Sequence, residues 1–275
     1  MRVLITGAAG LLGVELASHM SDRHDVTAVD REVDVTDARA VDACVDALGP
    51  DAVFHCAAWT DVDGAEDHEA AARVLNRDGA RNVARACDRA GAALIYPSTD
   101  YVFDGNRGAP YREDDATGPL NVYGRTKLEG ELAVREACPY GARIVRTAWL
   151  YGAAKGTFVE TIRERAAEQE AVRVVHDQIG CPTWTRELAP ALVTLLECPP
   201  GTYHAAAAGA VSWAGLARRV IERLHLDCDV VPISTAESGR RAQRPAYSAL
   251  ATTRLDAPRL RRWDDALDDY LEWAP

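Results

Sequence analysis

At 275 residues with 48% hydrophobic content, the chain can bury one large core, or a core plus a small lobe, without disulfides or metal. A formal net charge of −11 repels phosphate polymers, which disfavours nucleic acid and anionic membrane as partners, and no apolar run approaches a membrane span or a secretory signal. Seven cysteines, odd in number and without a Cys-x-x-Cys pair, fit reduced thiols in a cytoplasmic protein better than a disulfide framework or a zinc site.

Taken in chain order, short apolar runs alternate with helical patterns. A strand at Val3–Thr6 precedes a helix at Leu11–Met20, a strand at Val26–Val29 precedes Ala38–Leu48, and a strand at Ala52–Cys56 precedes a long helix at Ala70–Ala90. A fourth strand follows at Ala93–Tyr96, then a helix at Asn121–Glu136, a strand at Ala142–Arg146, a helix at Phe158–Glu168 and a strand at Val172–Val175. After Gln178 the pattern breaks into Pro-punctuated pieces, with helices expected at Arg186–Leu196, Trp213–Leu224 and Trp263–Leu271. This βαβ rhythm predicts an α/β protein with a doubly wound parallel sheet of the Rossmann type and a smaller C-terminal substrate lobe. The expected division is 1–150 for dinucleotide binding, with the sheet continuing to about 176, and 151–275 for the substrate lobe.

The first strand runs into Gly7-Ala-Ala-Gly10-Leu-Leu-Gly13, which opens directly into a helical pattern. Small residues at Gly7, Gly10 and Gly13, with Leu11 and Leu12 between them, let a backbone approach a pyrophosphate at the positive end of a helix. A tight turn needs glycine on steric grounds alone, but Asp30 supplies a second sign: it ends the second strand 20 residues beyond Gly10. A carboxylate there accepts hydrogen bonds from ribose hydroxyls, which suits NADH, whereas the adjacent Arg31 suits the 2′-phosphate of NADPH. Both cofactors stay open.

Tyr123 and Lys127 stand four residues apart in a helical pattern and share one face. A tyrosine can protonate the alkoxide formed when hydride reaches a ketone, and a nearby ammonium would lower its pKa. The spacing recurs at Tyr151 and Lys155, but Gly152 and Gly156 favour a loop there. Tyr96-Pro-Ser98-Thr99-Asp100 closes the fourth strand, so one hydroxyl of Ser98 and Thr99 emerges at the carboxyl end, where parallel sheets bind ligands.

Together these residues resemble the dTDP-4-dehydrorhamnose reductase family of extended short-chain dehydrogenases/reductases. The similarity runs in order through Gly7–Gly13, Asp34-Val-Thr-Asp37, Trp59-Thr-Asp-Val-Asp63, Ser98-Thr-Asp-Tyr-Val-Phe-Asp-Gly105, Pro119-Leu-Asn-Val-Tyr-Gly124, Lys127, Arg146-Thr-Ala-Trp-Leu-Tyr-Gly152 and Arg244-Pro245. The resemblance implies Thr99, Tyr123 and Lys127 as the catalytic trio, with Asp100 and Trp149 touching a nucleotide-sugar substrate. It also implies that Cys56, Ala57 and Ala58 pass the cofactor and that Asp34 and Val35 lie by its adenine. Two positions depart from the family pattern: Gly64, where lysine is frequent, and Tyr247, where Arg-Pro-x-Asn-Ser is usual. The implied reaction is reduction of the C4 ketone of a dTDP-4-keto-6-deoxysugar.

Other residues have simpler readings. The acids Asp61, Asp63, Glu66, Asp67 and Glu69 fit a helix N-terminus better than a metal cluster, and no metal is expected. Arg240, Arg241 and Arg244 have no acid between them and suit either a solvated face or a diphosphate. Glu15 and Glu187 match carboxylates tied to magnesium-assisted pairing in some relatives, but plain surface acids are the safer reading of both; a homodimer is left open. Two rivals remain, a 4,6-dehydratase or epimerase and a non-catalytic NADP-binding regulatory subunit. Dehydratases of this superfamily have an Asp then a Glu beside the threonine, and here Tyr101 follows Asp100; the regulatory subunit sits poorly with a complete trio.

Overall fold

The computed structural model describes residues 1–153 and 156–274. In chain order, β1 (Arg2–Thr6), α1 (Leu11–Met20), β2 (Asp25–Val29), α2 (Ala38–Leu48) and β3 (Ala52–His55) form the first half of a doubly wound unit. Then come α3 (Val62–Asp67), α4 (Glu69–Arg73), a π-helical turn at Val74–Gly79 and α5 (Ala80–Ala90). The Ala70–Ala90 helix predicted from periodicity is thus interrupted by a wide turn. Asn76 sits in that turn, accepts from the Trp59 N–H at 2.8 Å and donates to Thr126 Oγ1 at 2.9 Å, tying the chain after β3 to the helix beyond.

β4 (Ala93–Thr99), α6 (Val122–Ala137) and β5 (Ala142–Thr147) follow, then β6 (Leu150–Tyr151), α7 (Phe158–Glu168), β7 (Ala171–Val175), β8 (Ile179–Gly180), β9 (Thr183–Trp184) and α8 (Thr185–Thr194). The chain ends with β10 (Gly201–His204), β11 (Val211–Ser212), α9 (Trp213–Arg223), β12 (Asp229–Ile233) and α10 (Trp263–Trp273). Six strands make one sheet in the order β2-β1-β3-β4-β5-β10, every pair parallel.

Alternation along the strands fills both faces. Val3 and Ile5 of β1 and Phe54 of β3 pack with Leu12, Leu16 and Leu188 of α1 and α8. Leu4 and Val53 face the other way, onto Val41, Val83 and Val134 of α2, α5 and α6. The strand order reverses between β1 and β3, so the crevice expected of such sheets opens at their carboxyl ends.

One sheet expectation is corrected. The main sheet does not continue through 171–175: β7 pairs with β12 in a separate two-stranded sheet, and the sixth strand is β10. Val172 and Val174 are buried while Ala171 and Arg173 are exposed, the alternation of a strand covered on one face only. β10 instead carries Tyr203 and His204, both fully buried. The lobe after residue 150 therefore returns α8 and β10 to the dinucleotide half, while α7, α9, α10 and β7 gather a core of their own around Ile162, Val220 and Tyr270.

Candidate active site

Gly7 leaves β1 with φ of +66°, and a Cβ built there would lie 2.5 Å from the Ala57 N. Only glycine allows the turn after β1 to touch the end of β3 this closely. Gly10 caps α1 without any side-chain hydrogen bond, which leaves the first-turn N–H groups free for an anion. A side chain at Gly13 would likewise collide with the Gly7 carbonyl. The turn is therefore a backbone cradle that a pyrophosphate fits.

This cradle forms one end of a groove of about 1180 Å³, more than a drug-sized ligand needs. Gly7, Gly10, Leu11, Leu12 and Gly13 line it, as do Asp30 and Arg31 at the end of β2. Asp34 and Val35, and Cys56, Ala57 and Ala58 after β3, join the same wall. Thr99, Asp100, Tyr123, Lys127 and Trp149 line the remainder. Sequence-predicted residues from six separate stretches thus meet in one cleft.

Asn121 starts α6 by accepting from the Gly124 N–H at 2.7 Å, so Tyr123 and Lys127 lie on the helical face turned to β4. The Lys127 ammonium is 3% exposed; it donates to the Pro97 carbonyl at 2.8 Å and stands 4.2 Å above the Tyr96 ring. Burial pulls its pKa down to about 8, opposed by Glu131 and Cys56. Tyr123 is pushed up to about 12, chiefly by burial, with the Thr99 hydroxyl acting to lower it and Asp100 to raise it. A phenol neutral at physiological pH is the form a proton donor requires.

Ser98 and Thr99 both line the groove, and their hydroxyls meet different partners: Thr99 Oγ1 accepts from the Tyr101 N–H at 3.1 Å. The Ser98 hydroxyl donates to Glu131 of α6 at 2.6 Å, and Glu131 is clamped by Arg146 at 2.8 Å in a fully buried pair. Trp149 holds φ of +49°, an unusual backbone for a bulky residue and a frequent mark of functional sites. Its ring stacks on Trp213 at 3.5 Å. Its indole N–H turns toward Asp100 without meeting hydrogen-bond geometry.

Several residues lie elsewhere. Arg240, Arg241 and Arg244 do not line the groove; Arg240 and Arg244 pair with Asp63, and Arg241 pairs with Asp67. The acids missing between them in sequence come from α3, more than 170 residues earlier, and strap the 240–244 segment onto that helix. This also accounts for two of the acids considered for a metal. Glu187 is engaged by Arg261. Tyr151 is buried in the lobe core, with its ring 5.2 Å from that of Tyr270, and Lys155 lies outside the described residues. Reasoning from sequence missed Trp213, which begins α9 and lines the groove, and Ser248, whose Oγ donates to Asp100 at 2.5 Å. Ser248 ends the Arg-Pro-x-x-Ser run, so that run was the available signal.

Comparison with known proteins gives a consistent picture. A family model described as RmlD substrate binding domain matches residues 1–274. A dTDP-4-dehydrorhamnose reductase of Streptomyces griseus is 44% identical, the match covering 98% of this chain and 92% of that protein. A probable dTDP-4,6-dihydroxy-2-methyloxan-3-one 4-ketoreductase of Streptomyces antibioticus is 45% identical over 97% of this chain and 93% of its own. Among solved structures, the dTDP-4-dehydrorhamnose reductase of Bacillus anthracis str. Ames in complex with NADP superposes with a TM-score of 0.95 at 38% identity, covering 98% of both chains. With a whole-chain family match, and with the trio assembled beside a dinucleotide cradle, this chain belongs to the dTDP-4-dehydrorhamnose reductase family.

Proposed function

We propose that the chain reduces the C4 ketone of dTDP-4-dehydro-L-rhamnose to give dTDP-L-rhamnose, using NADPH or NADH. The observation that carries this reading is the meeting of Thr99, Tyr123 and Lys127 in the groove whose other end is the Gly7–Gly13 cradle. The bound cofactor would supply the hydride. Lys127 would hold the nicotinamide ribose, Thr99 would hydrogen-bond the ketone oxygen, and Tyr123 would release its phenolic proton to that oxygen. Trp149, braced by Trp213, would wall the sugar.

Asp30 and the exposed Arg31 both line the adenosine end of the groove, so turnover is expected with either cofactor. Initial rates with NADH and NADPH check this, and a preference above about a thousandfold, or ~4 kcal/mol of discrimination, would contradict it. The substrate is tested by offering purified protein a set of dTDP-4-keto-6-deoxyhexoses. Reduction of the rhamnose precursor above the others supports the reading. The Streptomyces antibioticus relative, a probable 4-ketoreductase of a different keto-sugar, is 45% identical against 44% for the Streptomyces griseus reductase, so exclusive reduction of another keto-sugar would move the chain to a specialised 4-ketoreductase.

A further inference from the structure

Asp100 is a carboxyl only 2% exposed, and all its described side-chain hydrogen bonds come from hydroxyls. Ser248 Oγ donates to Oδ2 at 2.5 Å, and Thr99 Oγ1 donates to Oδ1 at 3.1 Å. Ser248 is itself 1% exposed and arrives from a segment 148 residues away. No cation among the described residues forms an ion pair with Asp100. Burying a carboxylate without one is costly, and burial raises Asp100 to about 7.

Among the described groups around it, Lys127 is the one drawn near that pH, to about 8 by burial; Ser248 bonds Asp100 and not Lys127, so its substitution separates the two titrations. Tyr123 of α6 and Cys181, between β8 and β9, are both pushed up to about 12 by burial, and Tyr101 is raised as well. Arg244, which acts on Tyr101, is bound to Asp63, and Lys127 is turned to Pro97. Trp149 presents only an N–H.

A threonine hydroxyl has one hydrogen and two acceptor positions. The Tyr101 N–H occupies one acceptor position of Thr99 at 3.1 Å. When Asp100 is ionised, the single hydrogen of Thr99 is given to Oδ1, and none remains for a ketone oxygen. When Asp100 is neutral, its own proton can be donated to Thr99 Oγ1, and the threonine hydrogen turns into the groove.

We propose that Asp100 works as a neutral acid that orients the Thr99 hydroxyl toward the reacting ketone, with Ser248 as the positioning residue that holds the carboxyl in place. The proposal rests on the reductase reading above. Removing the Ser248 hydroxyl takes away a donor that favours the ionised form. Ser248→Ala should therefore raise the Asp100 titration by ~1 pH unit.

The test pairs two measurements. Carboxyl ¹³C NMR follows Asp100 in the full-length protein without substrate, and the pH profile of kcat/KM follows turnover. Wild type should lose activity as pH rises through about 7. Ser248→Ala should lose it about one unit later, retaining at pH 8 about fivefold more of its plateau rate than wild type. Ser248→Thr, which keeps the hydroxyl, should restore the wild-type limb and guards against a packing artefact. An Asp100 that remains ionised well below pH 7, or an NMR titration that moves in Ser248→Ala while the kinetic limb does not, overturns the proposal. If Ser248→Ala fails to fold, the wild-type comparison decides, since the NMR and kinetic midpoints must coincide. Absence of turnover on every 4-keto-sugar overturns the reductase reading and the proposal with it; turnover with Asp100 ionised overturns the proposal alone.

Discussion

Tyr123→Phe is expected to lower kcat by on the order of 10² or more while leaving cofactor binding and thermal stability near wild type. The phenol is the one neutral acid of the trio: Thr99 is a far weaker acid, and Lys127 is turned toward the Pro97 carbonyl. Its ring lies partly buried at the start of α6, and phenylalanine keeps that volume, so the loss should be confined to proton transfer. Steady-state kinetics with either cofactor, alongside NADPH titration by fluorescence, separate the two effects. Tyr151→Phe is the control, because Tyr151 is a 1% exposed core residue of the C-terminal lobe. An inactive Tyr151→Phe beside an active Tyr123→Phe would reverse the assignment.

Glu131→Ala should destabilise the fold by ~3–5 kcal/mol, read as a drop in Tm of roughly 10 °C. Glu131 is 0% exposed and Arg146 only 4%, and the pair closes through two hydrogen bonds at 3.0 and 2.8 Å. Removing the carboxylate strands a buried guanidinium and also deprives Ser98 of its acceptor, next in sequence to Thr99. The asymmetry supplies the check: replacing both partners by apolar residues of similar size, as in Glu131→Leu with Arg146→Met, should recover much of the lost stability because no charge remains unpaired. A Glu131→Ala protein that melts like wild type would mean that Arg146 finds another partner.

The dinucleotide half was legible because its signals are local. Gly7, Gly10 and Gly13 follow a strand and open a helix within a dozen residues, and Asp30 ends the next strand; periodicity alone places all of them. Tyr123 and Lys127 needed only a helix five residues long to share a face. What stayed hidden depends on distant chain segments meeting. The sixth strand, Gly201–His204, is four residues long and is defined by its partner β5; nothing in its own composition marks it as more central than Ala171–Val175. The arginines at 240, 241 and 244 looked free because their acids lie on α3. Trp213 read as the start of a helix, and only the fold brings it flat against Trp149. The π turn at Val74–Gly79 has no periodic signature, since its cause is Asn76 reaching Trp59 and Thr126.

The central claim, hydride delivery to a sugar C4 ketone, is tested most directly by isotope. Purified protein is given dTDP-4-dehydro-L-rhamnose with NADPH carrying deuterium at both nicotinamide C4 positions, and the product is examined by NMR and mass spectrometry. The account predicts dTDP-L-rhamnose with one deuterium, located at sugar C4, formed by wild type and greatly slowed in Tyr123→Phe. A product without deuterium at C4, or no consumption of the keto-sugar by a folded, NADPH-binding protein, would contradict it.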